Sequence, residues 1–277
     1  MIKHVVVNLT VDGRSDPAPE FAISLARMFG AELFGVAFAH EPVLSPDIIA
    51  GMPANLLQAM RAQSEKAAGE VIARFAHAAQ RVQVAAETRM VTTTDVGAAN
   101  YFGQWARTLD LAVVGQAAPD DVVPQDMVVE SALLESGRPI IVVPYIQKDP
   151  IKLDHIMLCW DGGRAAARAA GDALPLLERA SHIDVVTVKD KDRPDEPPAT
   201  AADVARHLRL HGLEAKDVRL VAPDVEVSDM LLSYAADNSV DFMVMGGYGH
   251  AKLREIVLGG VTRGILSSMT VPVLMSH

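Results

Sequence analysis

The chain has 277 residues, half of them hydrophobic, with 5% aromatic side chains and a formal net charge of −10. That length predicts two domains, and the acidic balance speaks against nucleic acid or an anionic membrane as partner, since both need a basic surface. It leaves room for a small anion held by uncharged backbone amides.

The opening "MIKHVVVNLT" lacks the apolar core and cleavage site of a signal peptide. No run approaches the ~18 to 20 apolar residues of a membrane span. A cytoplasmic protein is therefore expected. The first apolar run, "HVVVNL" from His4, leads into the turn Asp12-Gly13, then into the helical stretch "APEFAISLARMFG" and the second strand "AELFGVAFA". An insertion follows near 41–60. "LDLAVVG" ends at Gly115, and "SGRPIIVVPY" closes this half.

The same order then repeats. "HIMLCW" from His155 leads into Asp161-Gly162, the helical stretch "AAARAAGDALPLLERA" and the strand "HIDVVTVKD". "VDFMVMG" ends at Gly246, and "SMTVPVLMSH" closes the second half. This is a duplication of about 125 to 140 residues per unit. The proline-bearing, charged segment "PYIQKDPIKL" at 144–153 is the joint, which divides the chain into domains 1–147 and 148–277.

Short apolar runs alternating with helical stretches predict a parallel sheet with helices on both faces. In the second unit strands are expected near 155–160, 183–188, 217–221, 241–245 and 271–275. Helices are expected near 164–180, 200–212, 227–237 and 253–268. Pro175 should kink the first of these or mark its end. "DKDRPDEPPAT" at 190–200 reads as a surface loop. Cys159 stands in an apolar run and reads as a buried small hydrophobe. Trp105 and Trp160 read as packing residues.

The stretch "GGYGHAKLREIVLGGVT", Gly246 to Thr262, has five glycines in two clusters around an amphipathic middle. It opens at the carboxyl end of a strand, where doubly wound sheets bind ligands. The second cluster precedes a helix start, which offers unpaired N–H groups and a partial positive charge, and so a seat for a phosphate. The pattern is neither a Walker A loop nor the dinucleotide fingerprint, which would follow the first strand of its unit. The glycines can also be read as mere tight turns, Asp161 as a helix cap, and His250 and Tyr248 as exposed loop residues.

The spacing Gly246-x2-Gly249-x9-Gly259 resembles the G-x2-G-x9-G-[ST] loop of nucleotide-binding universal stress proteins, as does the order of elements across nearly the whole chain. Gly260 departs from the pattern, standing where Ser or Thr is usual. The resemblance implies two tandem flavodoxin-like α/β units of the adenine nucleotide alpha hydrolase-like type, each a five-stranded, mostly parallel sheet with helices on both faces. It implies that ATP or another adenine nucleotide, with or without Mg²⁺, is the partner in the second unit. Asp161 would sit beside adenine or ribose and Val188 would offer backbone contacts to the base. Gly246 and Gly249 would approach ribose and phosphates, and Gly259, Gly260, Val261 and Thr262 would hold the phosphates.

In the first unit Gly115 is followed by "QAAPDDVVPQDMVVESAL". The later glycines are gone, and Asp120, Asp121 and Asp126 would repel phosphates, so this half is expected to bind no nucleotide. The family's last strands pair across a two-fold axis, so "PIIVV" and "PVLM" are expected to pair within the chain as a pseudo-dimer; a homodimer of whole chains is left open. The implied role is a stress-response regulator. A slow ATP hydrolase is the alternative from another class, although no lysine follows the second glycine cluster and the loop carries no positioned base or metal-ligand cluster. A ligand-free interaction scaffold is the third reading.

Overall fold

The computed structural model describes residues 1–11, 16–41, 45, 47, 51–117, 125–189, 198–221, 224–248 and 260–277. It separates into two compact units, Ile2–Ser136 and Gly137–His277, the latter joined by Met1.

In the first unit β1 (His4–Leu9), β2 (Glu32–His40), β3 (Ala86–Thr93) and β4 (Leu111–Gly115) lie in the order β3-β2-β1-β4. All three pairings are parallel. β1 and β4 are buried almost throughout, as their unbroken aliphatic runs demand of strands covered on both faces. β3, "AETRMVTT", is the edge strand and largely exposed, and its charges discourage further strand pairing. The helices are α1 (Ala18–Phe29), α2 (Ala54–Arg81), α3 (Asp95–Ala106) and α4 (Gln125–Glu135). α2 packs on β2 and β3, and α1 packs on β1, β2 and β4.

The second unit holds β5 (Ile140–Val143), β6 (His155–Cys159), β7 (His182–Lys189), β8 (Ala215–Val221), β9 (Phe242–Gly246) and β10 (Val273–Ser276), in the order β5-β10-β9-β6-β7-β8. Every pairing from β10 to β8 is parallel. β5 runs antiparallel to β10, with Val142 opposite Val273 and Ile140 opposite Met275. The last strand of the first repeat thus pairs with the last strand of the second, as the two Pro-led runs predict.

The helices of this unit are α5 (Arg164–Asp172), α6 (Leu174–Leu177), α7 (Ala201–Leu210), α8 (Val227–Asp237) and α9 (Gly260–Ser268). The predicted helix over 164–180 is broken at Ala173, and Pro175 lies in the first turn of the short α6. There its missing N–H costs nothing, because a helix start leaves that donor unbonded. α7 begins where Thr200 and Asp203 form a reciprocal capping box. Of the helix expected over 253–268, residues 253–259 lie outside the described residues. Trp160 is buried, and its indole N–H donates to Ala199 O at 2.8 Å; Trp105 stacks on Phe38 and Tyr101. Both tryptophans are packing residues, as expected.

Candidate functional site

The carboxyl ends of β9, β6 and β7 are adjacent and point the same way, because β6 pairs in parallel with both neighbours. This places Gly246 at the end of β9, Asp161 just after β6, and Val188 near the end of β7 along one rim. α9 begins at Gly260 and is tied to that rim. Tyr248, just after β9, donates its backbone N–H to Thr262 Oγ1 at 3.2 Å. Thr262 is buried. Its hydroxyl therefore anchors the strand end to the first turn of α9. Val261 is half-buried and Gly260 exposed. Gly249, Gly259 and His250 lie outside the described residues.

Gly246 has a packing duty. A Cβ there would lie 2.5 Å from Ala166 N and 2.6 Å from the Ala165 carbonyl carbon. Only glycine lets β9 meet the first turn of α5 at this distance. Gly260 is the opposite case: a Cβ there would meet nothing within 4 Å. Among the described residues nothing lies near that Cβ position, and no acidic residue stands in the first turn of α9. The N–H groups of that turn, with their share of the helix dipole, face a region free of negative side chains from their own helix.

Asp161 is exposed, and its Oδ1 accepts from Gly163 N at 2.8 Å. The carboxylate folds back on the turn Asp161-Gly162-Gly163, in which Gly162 takes φ +75°. Gly163 is the N-cap residue of α5, and no side chain caps that helix directly. Asp161 therefore shapes the turn without capping the helix. Beside it, Thr187 Oγ1 donates to Trp160 O at 3.1 Å. The Cys159 thiol, which precedes these residues, is pushed up to about 12 by burial and then by the charge of Asp161.

Several rim residues have no signal in the glycine motif. His277 Nδ1 donates to Gly247 O at 3.0 Å, and Gly247 N donates to Ser276 O at 2.9 Å. Ser276 Oγ donates to Asp172 Oδ2 at 3.0 Å, and Arg168 Nε donates to the same oxygen at 3.0 Å. The polar pair Ser276-His277 after an apolar strand is the only cue the sequence offers for this bracing. Among the described residues no group of three or more His, Cys, Asp or Glu is placed to hold a metal ion, and no helix is long and apolar enough to cross a membrane.

At the matching rim of the first unit the described polar side chains bond to one another. Gln125, the first residue of α4, is buried; its Nε2 donates to Thr10 Oγ1 at 2.9 Å, and its Oε1 accepts from Asn8 Nδ2 at 3.1 Å. Asp16 Oδ1 lies where a Cβ on Gly115 would come within 2.9 Å. Asp126 stands in the first turn of α4. Asp120 and Asp121 lie outside the described residues.

The model of the universal stress protein family matches residues 152–277. A universal stress protein of Synechocystis sp. is 26% identical over 141 residues, which cover 50% of this chain and 46% of that protein. One of Methanocaldococcus jannaschii is 32% identical over 74 residues, covering 26% of this chain and 43% of that protein. The matched stretches thus span less than half the length of these curated relatives. Among solved structures, a universal stress protein of Archaeoglobus fulgidus superposes with a TM-score of 0.74 over 98% of this chain and 94% of its own, at 15% identity. That likeness extends the fold to both repeats, and residues 152–277 are the stretch that matches the universal stress protein family.

Proposed function

We propose that the chain is a cytoplasmic stress-response regulator that binds ATP or another adenine nucleotide in its C-terminal domain, 148–277, while the N-terminal domain, 1–147, binds none. The observation that carries this reading is the contrast between two helix starts. α9 opens on Gly260, where among the described residues nothing lies within 4 Å of an added Cβ and no acid stands in the first turn. α4 opens on a buried glutamine already bonded to Thr10 and Asn8, with Asp126 beside it.

In the C-terminal domain the first-turn amides of α9, at Gly260, Val261 and Thr262, suit phosphate oxygens. Asp161 and Val188, on the neighbouring strand ends, suit the nucleoside. Gly249 and Gly259 complete the loop by their place in the motif. Gly260 lacks the hydroxyl usual at its position. A hydrogen bond to a charged group is worth about 1.5–3 kcal/mol, or about ten- to a hundredfold in affinity.

The test is a calorimetric titration of nucleotide-stripped protein with ATP and Mg²⁺. One site per chain is expected, tightened about tenfold or more in Gly260→Ser and lost in Gly249→Glu. No heat at millimolar ATP in either wild type or Gly260→Ser sinks the proposal and leaves a ligand-free scaffold. Release of several phosphates per site would instead make it a hydrolase.

A further inference from the structure

Two imidazoles stand side by side at the end of α7. That helix follows β7 in the chain and ends beside the start of β8, where Arg209 Nη1 donates to Ala215 O at 2.6 Å. The strands from β9 to β8 are parallel, so this end of α7 lies at the opposite end of the sheet from Gly246, Asp161 and Val188. His207 is in the last turn of the helix and His211 is its C-cap. Both are exposed. Positions i and i+4 share one face of a helix, and the two rings lie 4.8 Å apart between centroids, with 70° between their planes.

Several other described histidines are already engaged. His155 Nε2 faces Asp184 Oδ2 at 2.9 Å, an oxygen that also accepts from Tyr234 OH, and His155 Nδ1 faces Asn238 O at 3.0 Å. His182 meets the edge of that committed ring. His40 Nδ1 is held by Asp95 and His277 Nδ1 by Gly247 O. His207 and His211 differ. Among the described residues neither imidazole has a hydrogen-bond or ion-pair partner.

A neutral imidazole offers one nitrogen lone pair. Such donors suit Zn²⁺, Ni²⁺ and Cu²⁺, whereas Mg²⁺ and Ca²⁺ take oxygen. With metal–nitrogen bonds of ~2.0–2.1 Å, an ion bound to both rings stands about 3.2 Å from each centroid. The separation of 4.8 Å then sets a nitrogen–metal–nitrogen angle of about 100°, between the square-planar and tetrahedral values. The surrounding charges admit a cation. His211 stands at the negative end of α7, which attracts positive charge. Of the two arginines on this helix, Arg209 is turned to Ala215 O, and Arg206 stands one turn after Asp203, whose carboxylate offsets it.

We propose that His207 and His211 form a two-imidazole site for one divalent transition-metal ion of the Zn²⁺, Ni²⁺ and Cu²⁺ class, with water completing the coordination. The chelate exists only while the helix holds both residues on one face, so the ion clamps the last turn of α7 and binds the folded chain in preference to the unfolded one. It does so independently of any ligand on the glycine rim.

The test is a calorimetric titration of the untagged full chain with Ni²⁺ alone. One site is expected, weakened about tenfold or more in His207→Ala and in His211→Ala, since even the outer partners of metal ligands carry that much. His77→Ala, which removes an exposed histidine of α2, should change nothing. Circular dichroism checks that the variants fold. Magnetic resonance of the wild-type chain gives a second reading that needs no variant: Ni²⁺ should broaden the imidazole signals of His207 and His211 together, before those of other histidines. Absence of binding, equal binding in the variants, or broadening that begins at other histidines overturns the proposal.

Discussion

Replacing Gly246 with alanine tests whether that glycine is needed by the fold before any ligand arrives. The added Cβ would lie 2.5 Å from Ala166 N, 2.6 Å from the Ala165 carbonyl carbon and 2.8 Å from Ala165 Cβ. A carbon–carbon contact sits best at about 3.5–4.0 Å, so β9 and α5 must part by about 1 Å. Two of the three obstacles are backbone atoms, and no side-chain rotation relieves them. Overpacking of this kind costs about 1–3 kcal/mol, and the backbone contact places Gly246→Ala toward the upper end. For a unit of this size that is a fall of about 5–10 °C in Tm. The assay is thermal unfolding of the ligand-free chain by circular dichroism, with Gly260→Ala alongside. At Gly260 a Cβ meets nothing within 4 Å, so alanine there should be neutral or raise stability by about 0.4–1 kcal/mol through the unfolded chain. Equal melting of Gly246→Ala and wild type would refute the packing argument and return Gly246 to a purely ligand-facing role.

Two further outcomes concern the acids and the thiol. Burial alone would raise the Asp184 carboxyl, but hydrogen bonds from Tyr234 and His155, the charge of His155, and Lys216 outweigh it and hold the group below its usual range. A depressed acid contributes stability above its unfolded value of about 3.9 and loses it as pH falls through the lower folded value. Acid unfolding of the C-terminal unit, followed by Trp160 fluorescence in the Trp105→Phe background, should therefore flatten in Asp184→Asn, and an unchanged acid limb would contradict the ion pair. The Cys159 thiol, pushed up to about 12 by burial and Asp161, should stay unlabelled by an aromatic disulfide reagent at pH 8 and react once urea is added. Fast labelling of the native chain would refute that.

The strands, the duplication and the β5–β10 pairing are legible in the sequence because unbroken aliphatic runs and Pro-led ends are local signals. Pro175 is half legible. The break is visible, but the restart of helix at Leu174 depends on Leu176 and Leu177 finding burial, which is a tertiary matter. In the sequence Gly246 reads as clearing space for a ligand, yet its nearest neighbours are the backbone of α5; a glycine in a sequence does not say which atom would have collided with its side chain. Asp161 invites a choice between ligand contact and helix cap, and its bond to Gly163 is a third arrangement that two consecutive glycines after the acid make available. The His155–Asp184–Tyr234 cluster is invisible in the sequence because its members are spread over β6, β7 and α8, and only parallel register brings them together.

The two repeats satisfy the buried polar groups of their rims with different side chains. A buried polar group must find a partner or cost about 1–3 kcal/mol. In the first unit Gln125 is the partner of both Asn8 and Thr10, and Asn8 is itself buried. Removing Gln125 would strand Asn8 away from water, so these side chains also stabilise the rim. In the second unit the strand position of Asn8 is taken by Cys159 and that of Thr10 by Asp161, by the matching of His4 with His155. Cys159 asks for little, and Asp161 accepts from Gly163 within its own turn. From α9 it is Thr262 that reaches the rim, accepting from the backbone of Tyr248, while an added Cβ at Gly260 meets nothing within 4 Å among the described residues. The residues at the carboxyl end of the first strand in each repeat thus set which buried polar groups need a partner, and the two repeats meet that need with different side chains.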